Sequence, residues 1–316
     1  VKLLQGGFST GHGHLREPND IESYAALACI AIQSNQNDQH GGQSVPNFDY
    51  GMAPGVKKAY KRLYVTNLGK MLDFLEDVED GVERMKALEG EIEHEYGVFP
   101  CMAWDNNYAE LELAELKKIV PEAEAIKMQD RSRKFADKEI RRKTYQAMEA
   151  FIHNLNTMHS RAGAQVPFSS INYGTDTSPE GRLVMESVML ATEAGLGNGE
   201  TPIFPIQIFK VKEGVNYNPE DPNYDLFKLA CKVSAKRLFP NFSFLDAPFN
   251  KQYYIEGKPE TECAYMGCRT RVIGNVYDPT REIVYGRGNL SFTSINLPRL
   301  AIKAKGDVFS LSFWTI

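Results

Sequence analysis

The sequence lacks several patterns that would assign it to a common class of protein. It has no run of about 18 apolar residues, so no segment is predicted to span a membrane. Its first residues, VKLLQGGFSTGHGH, hold one lysine and no continuous apolar stretch, unlike a secretory signal peptide. Neither GxGxxG nor GxxxxGKS/T occurs, so neither a Rossmann dinucleotide site nor a P-loop is indicated.

Histidine and cysteine are sparse, with six and five copies in 316 residues. No HExxH or CxxC motif occurs, so the sequence supports neither a zinc site within this chain nor a thioredoxin-like redox pair. An odd number of cysteines in a long chain indicates reduced thiols in a cytoplasmic protein rather than a disulfide framework.

Charge of either sign is not in large excess. The net charge of −5 argues against broad binding to nucleic acid. With 42% hydrophobic residues, the chain is long enough for a sizeable core in one large domain or two ordinary ones. It opens on Val1 without a methionine and stops on the apolar SLSFWTI, so we expect a piece of a longer protein.

The first part of the chain, residues 1–160, has mainly helical patterns. PNDIESYAALACIAIQSNQ begins with the cap-type residues Asn19 and Asp20. An amphipathic stripe follows Pro54, and ELAELKKIV and KEIRRKTYQAMEAFIHNLNTMHS continue in the same style. The charge-rich KMQDRSRKFADKE between them is interpreted as a solvated surface.

The second part, residues 161–316, alternates strand and helix patterns, which predicts a parallel sheet with crossover helices. AQVPFSSINYG, TPIFPIQIFKV and FSFL are predicted strands, and RVIGNVYDPTREIVYG and LSFTSINL add three more. A helix is predicted from Pro179 to Ala194, with Gly195 ending it. YDLFKLACKVSAKRLF forms another, with Leu238 assigned to its inner face.

The stretch AYMGCRTRVIGN contains the candidate for chemistry, Cys268. Gly267 permits a tight turn that would expose the sulfur at a loop tip. A cysteine with a pKa of about 8.5 is mostly a neutral thiol at pH 7, the form that gives up a hydrogen atom. Arg269 and Arg271 would favour the thiolate if they point at the sulfur. A buried structural cysteine is the alternative.

Two polar stretches each have two interpretations. QNDQHGGQS, from Gln36 to Ser44, either lines a polar pocket or nucleotide site or forms a turn that closes the preceding helix. SINYGTDTSPEGR ends at a predicted helix start, Ser178-Pro179-Glu180. That helix start is either a phosphate site or a simple capped helix.

Several blocks in order resemble one family, the anaerobic (class III) ribonucleotide reductases, which are glycyl-radical enzymes. From about residue 159 to 307 these are HSRAGAQVPFSSINYGTDTSPEGR, GLGNGETPIFPIQIF, DPNYDLFKLA, YMGCRTR and GRGNLSFTSINLPRLAIKAKGD. FSTGHGHLREPND and QNDQHGGQS are similar to the upstream part of the same family.

The resemblance implies an α/β fold: a ten-stranded barrel of two five-stranded parallel halves, with a finger loop through its centre. It assigns Cys268 to that loop, where a thiyl radical takes the 3′ hydrogen of a ribonucleoside triphosphate and the 2′ hydroxyl leaves as water. Asn289 matches the asparagine beside the ribose, and asparagine there goes with formate as reductant. Ser170 is a further candidate for lining the nucleotide site.

The resemblance also implies partners. The helical first half would form a homodimer interface that binds ATP or deoxynucleotide effectors, with Arg16 and Glu17 near an effector phosphate. A radical-SAM activating enzyme would generate the glycyl radical. The glycyl-radical motif, its four-cysteine zinc site, an ATP cone and a second redox cysteine are absent from this sequence. We therefore expect the chain by itself to be inactive.

Two alternatives stay open at the level of sequence. One is another glycyl-radical enzyme, such as a formate-lyase or dehydratase relative. The other is a truncated copy that only binds nucleotides or pairs with a full-length subunit. Cys29, Cys101, Cys231 and Cys263 match no catalytic motif and are expected to pack in the core.

Overall fold

The computed structural model describes residues 6–9, 13–36, 41–74, 80–159, 165–267, 270–275, 277–288 and 294–307. Its elements in chain order are β1 (Phe8–Ser9), β2 (His14–Leu15), α1 (Ile21–Asn35), β3 (Gln43–Val45), α2 (Phe48–Asp73), α3 (Gly81–Tyr96), α4 (Tyr108–Leu116), α5 (Glu122–Thr157), β4 (Ser169–Tyr173), α6 (Pro179–Ala194), β5 (Ile206–Val211), α7 (Tyr224–Arg237), β6 (Asn241–Phe244), α8 (Pro248–Lys251), a 3-10 turn (Pro259–Thr261), β7 (Ala264–Met266), β8 (Thr270–Val272) and α9 (Leu297–Ala304). The described part is therefore a mixed α/β structure.

The first helix begins where the sequence predicts. Asp20 is its N-cap, and Asp20 Oδ1 accepts a hydrogen bond of 3.1 Å from the backbone N–H of Ser23. Its other carboxylate oxygen lies 2.5 Å from Nη2 of Arg62 on α2. Burial raises the pKa of Asp20, but the hydrogen bonds from Arg62 and Ser23 outweigh it, so the pKa lies below its usual value.

The second helix starts earlier than the sequence pattern suggests. It begins at Phe48 and contains Pro54 in its interior, although proline has no N–H for the helical ladder. Phe48, Met52 and Val56 follow one another at intervals of four residues and are fully buried, so tertiary packing holds the turn that contains the proline.

The fifth helix joins two segments that the sequence analysis separates. It runs from Glu122 to Thr157, through the charge-rich KMQDRSRKFADKE. Buried residues recur every three or four positions along its whole length, including Met128, Ser132 and Ala136 inside that segment. The charges occupy the opposite face, so the segment is solvated, as predicted, and also helical. None of the helices in the described ranges is both long and apolar enough to cross a membrane.

Within the described residues, four parallel strands form a sheet in the order β3-β4-β5-β6. Ser44 pairs with Ser170, and Ser170 with Ile206, so the strands are adjacent in chain order. Helix α6 connects β4 to β5, and α7 connects β5 to β6, as the alternating pattern predicts. In chain order, the helices α2 to α5 come between β3 and β4.

The two faces of this sheet differ in chemistry. On one face Tyr173 packs edge-on against Phe209, with ring centroids 5.8 Å apart, and Phe209 stacks on Phe227 of α7. Because side chains alternate along a strand, the intervening residues lie on the other face. That second face, named the polar face here, carries Ile206 and Ile208 together with a row of polar residues: Ser44, Ser170, Asn172, Lys210 and Ser243, all but Ser44 fully or nearly fully buried.

Several sequence predictions about elements were wrong or incomplete. Gln43–Val45 is the edge strand β3, although the stretch was predicted as a loop. Residues 277–288 contain no strand, and only Thr270–Val272 of the two predicted strands is present. LSFTSINL falls partly on residues 290–293, outside the described ranges. Leu238 is 81% exposed, because it takes a left-handed conformation (φ 64°) that ends α7 and turns its side chain out.

The helical part encloses the carboxyl group of Glu112 on α4, which neutral donors surround. It accepts hydrogen bonds from Tyr64 Oη at 2.5 Å, Tyr108 Oη at 3.0 Å and Gln129 Nε2 at 2.8 Å. Trp104 packs edge-on against Tyr64 at 4.9 Å between ring centroids. Burial raises the pKa of Glu112 to about 7, although these three donors oppose the shift.

Replacing Glu112 with glutamine should remove a pH dependence from the stability of this part. The folded carboxyl has a higher pKa than an exposed glutamate, so its stabilising contribution is complete below about pH 4.5 and is lost as the pH rises through about 7. We expect the unfolding free energy of wild type to fall relative to Glu112→Gln by on the order of 2 kcal/mol from about pH 5 to pH 8. Thermal unfolding across that range measures it. A pH-independent difference, equal to that of the half-buried control Glu115→Gln, would contradict the expectation.

Candidate functional site

The stretch that contains Cys268 belongs to a short hairpin. Strands β7 and β8 pair antiparallel, with Ala264 opposite Val272 and Met266 opposite Thr270. Residues 267–269 connect them, and of these Gly267 is described. Cys268 and Arg269 lie outside the described residues, so the structure leaves the position of the sulfur untested. The name docked hairpin is used below for β7 and β8 with the residues that lead into them, Glu262 and Cys263.

Gly267 closes the described part of β7 as a turn residue. Its φ of +65° is in the left-handed region that favours glycine, and an added Cβ would lie 3.2 Å from Cε1 of Phe168. Its backbone N–H donates to Oγ of Ser170 at 3.0 Å. Ser170 is a predicted residue of the nucleotide site. In the structure its hydroxyl oxygen accepts from the backbone of the residue that precedes Cys268.

The middle of the docked hairpin is held through the backbone of Tyr265. Its N–H donates to Oδ1 of Asn172 at 2.8 Å, and its carbonyl accepts from Nδ2 of the same residue at 2.8 Å. Oγ of Ser44 donates to that carbonyl as well, at 2.7 Å. Asn172 is fully buried, so hydrogen bonds to the hairpin backbone replace those that its amide would make to water.

The base of the docked hairpin is held by charges. Nζ of Lys210, only 1% exposed, lies 3.2 Å from Oε2 of Glu262 and donates to Oδ1 of Asn47 at 2.6 Å. Thr175 Oγ1 donates to the same carboxylate oxygen at 2.8 Å, and Lys212 Nζ lies 3.8 Å from Oε1. These further hydrogen bonds offset the cost of burying the two charges of the Lys210–Glu262 pair.

These contacts follow a regular order along β4 and the loop after it. Glu262 contacts Thr175, Tyr265 contacts Asn172, and Gly267 contacts Ser170. The segment from Glu262 to Gly267, which contains β7, therefore runs antiparallel to β4 across the polar face, from the carboxyl edge of the sheet towards its amino edge. The segment that leads to Cys268 is fixed at three levels.

The loop that follows β4 is held by a second buried carboxylate. Oδ2 of Asp49 accepts hydrogen bonds from the backbone N–H groups of Gly174, Thr175 and Asp176, at 2.8, 3.1 and 3.2 Å. Burial raises the pKa of Asp49 to about 6, against the charge of Lys210 and these donors, with Asp176 adding to the rise. A Cβ on Gly174 would lie 2.5 Å from the carbonyl oxygen of Lys210, so only glycine permits this close approach.

The start of α6 is capped by its own side chains. Oγ of Ser178 accepts from the N–H of Gly181 at 3.1 Å, and Oδ1 of Asp176 accepts from the N–H of Ser178 at 2.9 Å. The carboxylate of Asp176 beside these groups repels an anion. Of the two interpretations of SINYGTDTSPEGR, the geometry favours the capped helix.

A cavity of about 240 Å³ opens at the carboxyl edge of the sheet, beside the base of the docked hairpin. Its lining includes Lys212, Tyr254, Glu262 and Cys263. Burial raises the pKa of the Cys263 thiol to about 11, although Arg271 and Lys210 oppose the shift. That sulfur therefore stays a neutral thiol.

The other residues singled out by sequence lie in several places. Arg16 is exposed, and Glu17 forms an ion pair with Lys58 of α2. Asn289 lies outside the described residues. Arg287, two residues before it, donates to the carbonyl groups of Gly274 and Ile283, which connects this segment to the end of β8.

The arginine Arg271 has partners away from the turn. Its guanidinium lies over the ring of Phe249, 5.1 Å from the centroid, and 3.4 Å from Oδ1 of Asn250. Among the other cysteines, Cys29, Cys101 and Cys263 are buried free thiols, as expected. Cys231 is exposed on α7, so its assignment to the core was wrong. It lies on the solvent side of a helix whose buried residues are Leu226, Ala230 and Val233.

Sequence reasoning missed the side chains that hold the hairpin. Two signals were available: SSINY places Ser170 and Asn172 on one face of a buried strand, and IQIFKV places Lys210 inside another. A polar residue in a buried strand needs a partner. The partners Glu262 and the backbone of Tyr265 are more than 50 residues away in the chain, so spacing did not identify them.

Together the fold and this site define an α/β protein that presents a cysteine-containing hairpin on the polar face of a parallel sheet. Comparison with known proteins then assigns the family. The family model described as anaerobic ribonucleoside-triphosphate reductase matches residues 1–315. The chain therefore belongs to the anaerobic ribonucleoside-triphosphate reductase family.

Curated relatives carry the same description. The anaerobic ribonucleoside-triphosphate reductase of Escherichia coli (strain K12) is 27% identical over 315 residues, which cover 99% of this chain and 35% of the relative. That of Enterobacteria phage T4 is 27% identical over 301 residues, 95% of this chain and 39% of the relative. That of Haemophilus influenzae is 25% identical over 306 residues, 96% of this chain and 34% of the relative. The chain thus spans about a third of the length of these relatives.

Removing the cation at the base of the docked hairpin should strongly destabilise the fold. Lys210→Met leaves Glu262 buried with less compensation, and we expect it to lower the unfolding free energy by about 3 kcal/mol. Lys134→Met, which removes an exposed ion pair with Asp130, should cost less than about 1 kcal/mol. Chemical denaturation of both variants measures the difference. Equal, small losses would show that the buried pair contributes no more than a surface pair.

Proposed function

We propose that this chain is the part of an anaerobic ribonucleoside-triphosphate reductase that carries its radical-relay cysteine. The proposed reaction is reduction of ribonucleoside triphosphates to deoxyribonucleoside triphosphates in the absence of oxygen. The observation that supports it is the docked hairpin, whose connection contains Cys268 and whose backbone is held on the buried polar face of the sheet. Membership of the family supports the same assignment.

The proposed architecture is the ten-stranded barrel of two five-stranded halves, with the docked hairpin as its finger loop. Strands β3 to β6 would belong to one half, since they are parallel and adjacent in chain order. Their polar face would then be the barrel interior, because it carries the hairpin. Residues 1–160 would supply the first strand of this set, β3, together with the helical dimer region, and residues 161–316 the remaining strands and the substrate site.

In the proposed chemistry Cys268 relays a hydrogen atom. A glycyl radical elsewhere in the intact protein, formed by a radical-SAM activating enzyme, would take the hydrogen atom of the Cys268 thiol. Cys268 would then take the 3′ hydrogen of the ribose, after which the protonated 2′ hydroxyl would leave as water. Formate would supply two electrons and be oxidised to carbon dioxide, and Cys268 would return the hydrogen atom to the 3′ carbon. The role of this chain is to hold a neutral thiol, away from water, at a fixed place beside the sugar.

Asn289 is proposed to hold the ribose hydroxyls, since an amide both donates and accepts hydrogen bonds. The Arg287 contacts with Gly274 and Ile283 support a position near the docked hairpin, because they tie the preceding residues to the end of β8. Ser170 is proposed to border the nucleotide at the amino edge of the sheet while it supports Gly267.

The helical part is proposed to form the homodimer interface and to bind ATP or deoxynucleotide effectors. Arg16, which is exposed beside the Glu17–Lys58 ion pair, is the proposed contact for an effector phosphate. The zinc site, the glycyl radical and the activating-enzyme surface are assigned to other parts of the intact, cytoplasmic protein. The chain by itself is therefore expected to lack turnover.

Replacing Cys268 with serine tests the proposed relay. A hydroxyl group does not replace a thiol in hydrogen-atom transfer, so Cys268→Ser in the intact, activated enzyme should abolish deoxynucleotide formation while the glycyl radical signal persists in electron paramagnetic resonance. Cys231→Ser, at an exposed thiol of α7, is the matched control and should retain activity. Turnover by Cys268→Ser would remove this sulfur from the mechanism.

Replacing Asn289 with alanine tests the proposed ribose contact. The amide would act on the sugar and not on the base or phosphates, so we expect the turnover number to fall by about tenfold or more, the loss typical of one or two hydrogen bonds. The dissociation constant of the nucleotide should change much less. Steady-state turnover and equilibrium binding measure the two effects, and activity near that of wild type would show the assignment to be wrong.

A further inference from the structure

We infer that Asn172 is a positioning residue that sets the position along the sheet of β7, the strand that precedes Cys268 in the chain. This inference rests on the proposed function of Cys268 and goes beyond it, since Asn172 would act through the hairpin backbone and not on substrate. The observation behind it is that one buried side chain binds both the N–H and the carbonyl of a single hairpin residue, Tyr265, at 2.8 Å each.

The amide group matches this task chemically. Its Oδ1 accepts from the Tyr265 N–H while its Nδ2 donates to the Tyr265 carbonyl, so the contact specifies one residue and one strand direction. Nδ2 also lies 3.1 Å from Oγ of Ser44, which itself donates to the Tyr265 carbonyl. All four contacts are between buried or half-buried groups, where an unmade hydrogen bond is costly.

The contacts at Glu262 and Gly267 are less specific for the position of β7. Glu262 is held by long lysine side chains and a threonine hydroxyl, which adjust to small shifts. At Gly267 the described contact is a single hydrogen bond from its N–H to Ser170. The two-point contact at Tyr265 lies between them. A slip of one residue would move the connection by about 3.3 Å along the strand.

The proposed chemistry is sensitive to such a shift. Hydrogen-atom transfer needs the sulfur and the 3′ carbon at contact distance, and a misplacement of about 1 Å costs on the order of a hundredfold in rate. Cys268 is three residues beyond Tyr265, so an error at Tyr265 passes directly to it. Loss of the Asn172 amide should therefore affect turnover more than the binding of nucleotide.

A matched control lies on the same strand. Tyr173, the next residue, points to the helix face, where its Oη donates to Oε1 of Gln207 at 2.8 Å. Tyr173→Phe removes a buried hydrogen bond from β4 without touching the hairpin. General weakening of β4 is thereby separated from displacement of the hairpin.

The experiment compares Asn172→Ala, Asn172→Asp and Tyr173→Phe in the intact, activated enzyme. Asn172→Asp keeps an acceptor but places a carboxylate oxygen against the Tyr265 carbonyl, so it should behave like the alanine variant. For both we expect kcat to fall by about 10- to 100-fold with KM changed by less than about threefold. Tyr173→Phe should keep kcat within about threefold of wild type.

Amide hydrogen exchange provides a readout that does not depend on activity. In both Asn172 variants the Tyr265 amide should exchange at least about tenfold faster, while amides in the β4–β5 ladder stay protected. Alanine removes the acceptor of that amide, and aspartate breaks the neighbouring contact with the Tyr265 carbonyl. Unchanged exchange at Tyr265, or equal effects of Tyr173→Phe, would overturn the inference.

The two readouts separate failure of the inference from failure of the proposed function. Faster exchange at Tyr265 with unchanged kcat would refute the positioning role. If Cys268→Ser also stays active, the proposed function itself is wrong. If Cys268→Ser is inactive while both Asn172 variants turn over normally, the function stands and only the role of Asn172 is rejected.

Discussion

The contact between the Asn172 amide and the backbone of Tyr265 is the constraint on which the described site depends. A parallel sheet covered by helices on one face leaves its other face to be covered by something else. Here that face carries hydroxyl, amide and ammonium groups beside the aliphatic side chains of Ile206 and Ile208, and buried polar groups need partners once water is excluded. The docked hairpin supplies the partners of Ser44, Ser170, Asn172 and Lys210, largely from its backbone, so its position follows from hydrogen bonding.

Charge reinforces this arrangement at the carboxyl edge of the sheet. Lys210 and Glu262 are 1% and 3% exposed, and burial of two charges is costly unless their remaining hydrogen-bonding capacity is used. Asn47 and Thr175 use it. Removal of either charge leaves the other uncompensated, so the pair is costly to break although it contributes little net stability when it is intact.

The helical part and the site are connected through the start of α2. Asn47 accepts from Lys210, and Asp49, two residues later, binds three N–H groups of the loop after β4. The same helix continues to Arg62, which pairs with the N-cap of α1, and to Lys58, which pairs with Glu17. The start of α2 therefore contacts Lys210, the partner of the hairpin base, and the middle of the same helix contacts the proposed effector region.

The sequence alone determined the elements whose signals are local. The cap at Asp20, the start of α6 at Ser178 and its stop at Gly195, and the buried strand IQIFKV were predicted because each depends on neighbouring residues. The family was also readable, because several long blocks occur in order. Local signals failed at β3, whose three residues are a strand only because β4 pairs with them, and at Pro54, which packing keeps inside a helix.

Only the tertiary structure decided how the hairpin is held. Asn172 and Tyr265 are 93 residues apart, and Lys210 and Glu262 are 52 apart, so no spacing rule joins them. The sequence identified polar residues in buried strands, but their partners are set by which strands pair and which face the returning chain crosses. Hydrogen bonds and ion pairs depend on the distance between two groups in space. For residues this far apart in the sequence, the arrangement of the folded sheet determines that distance.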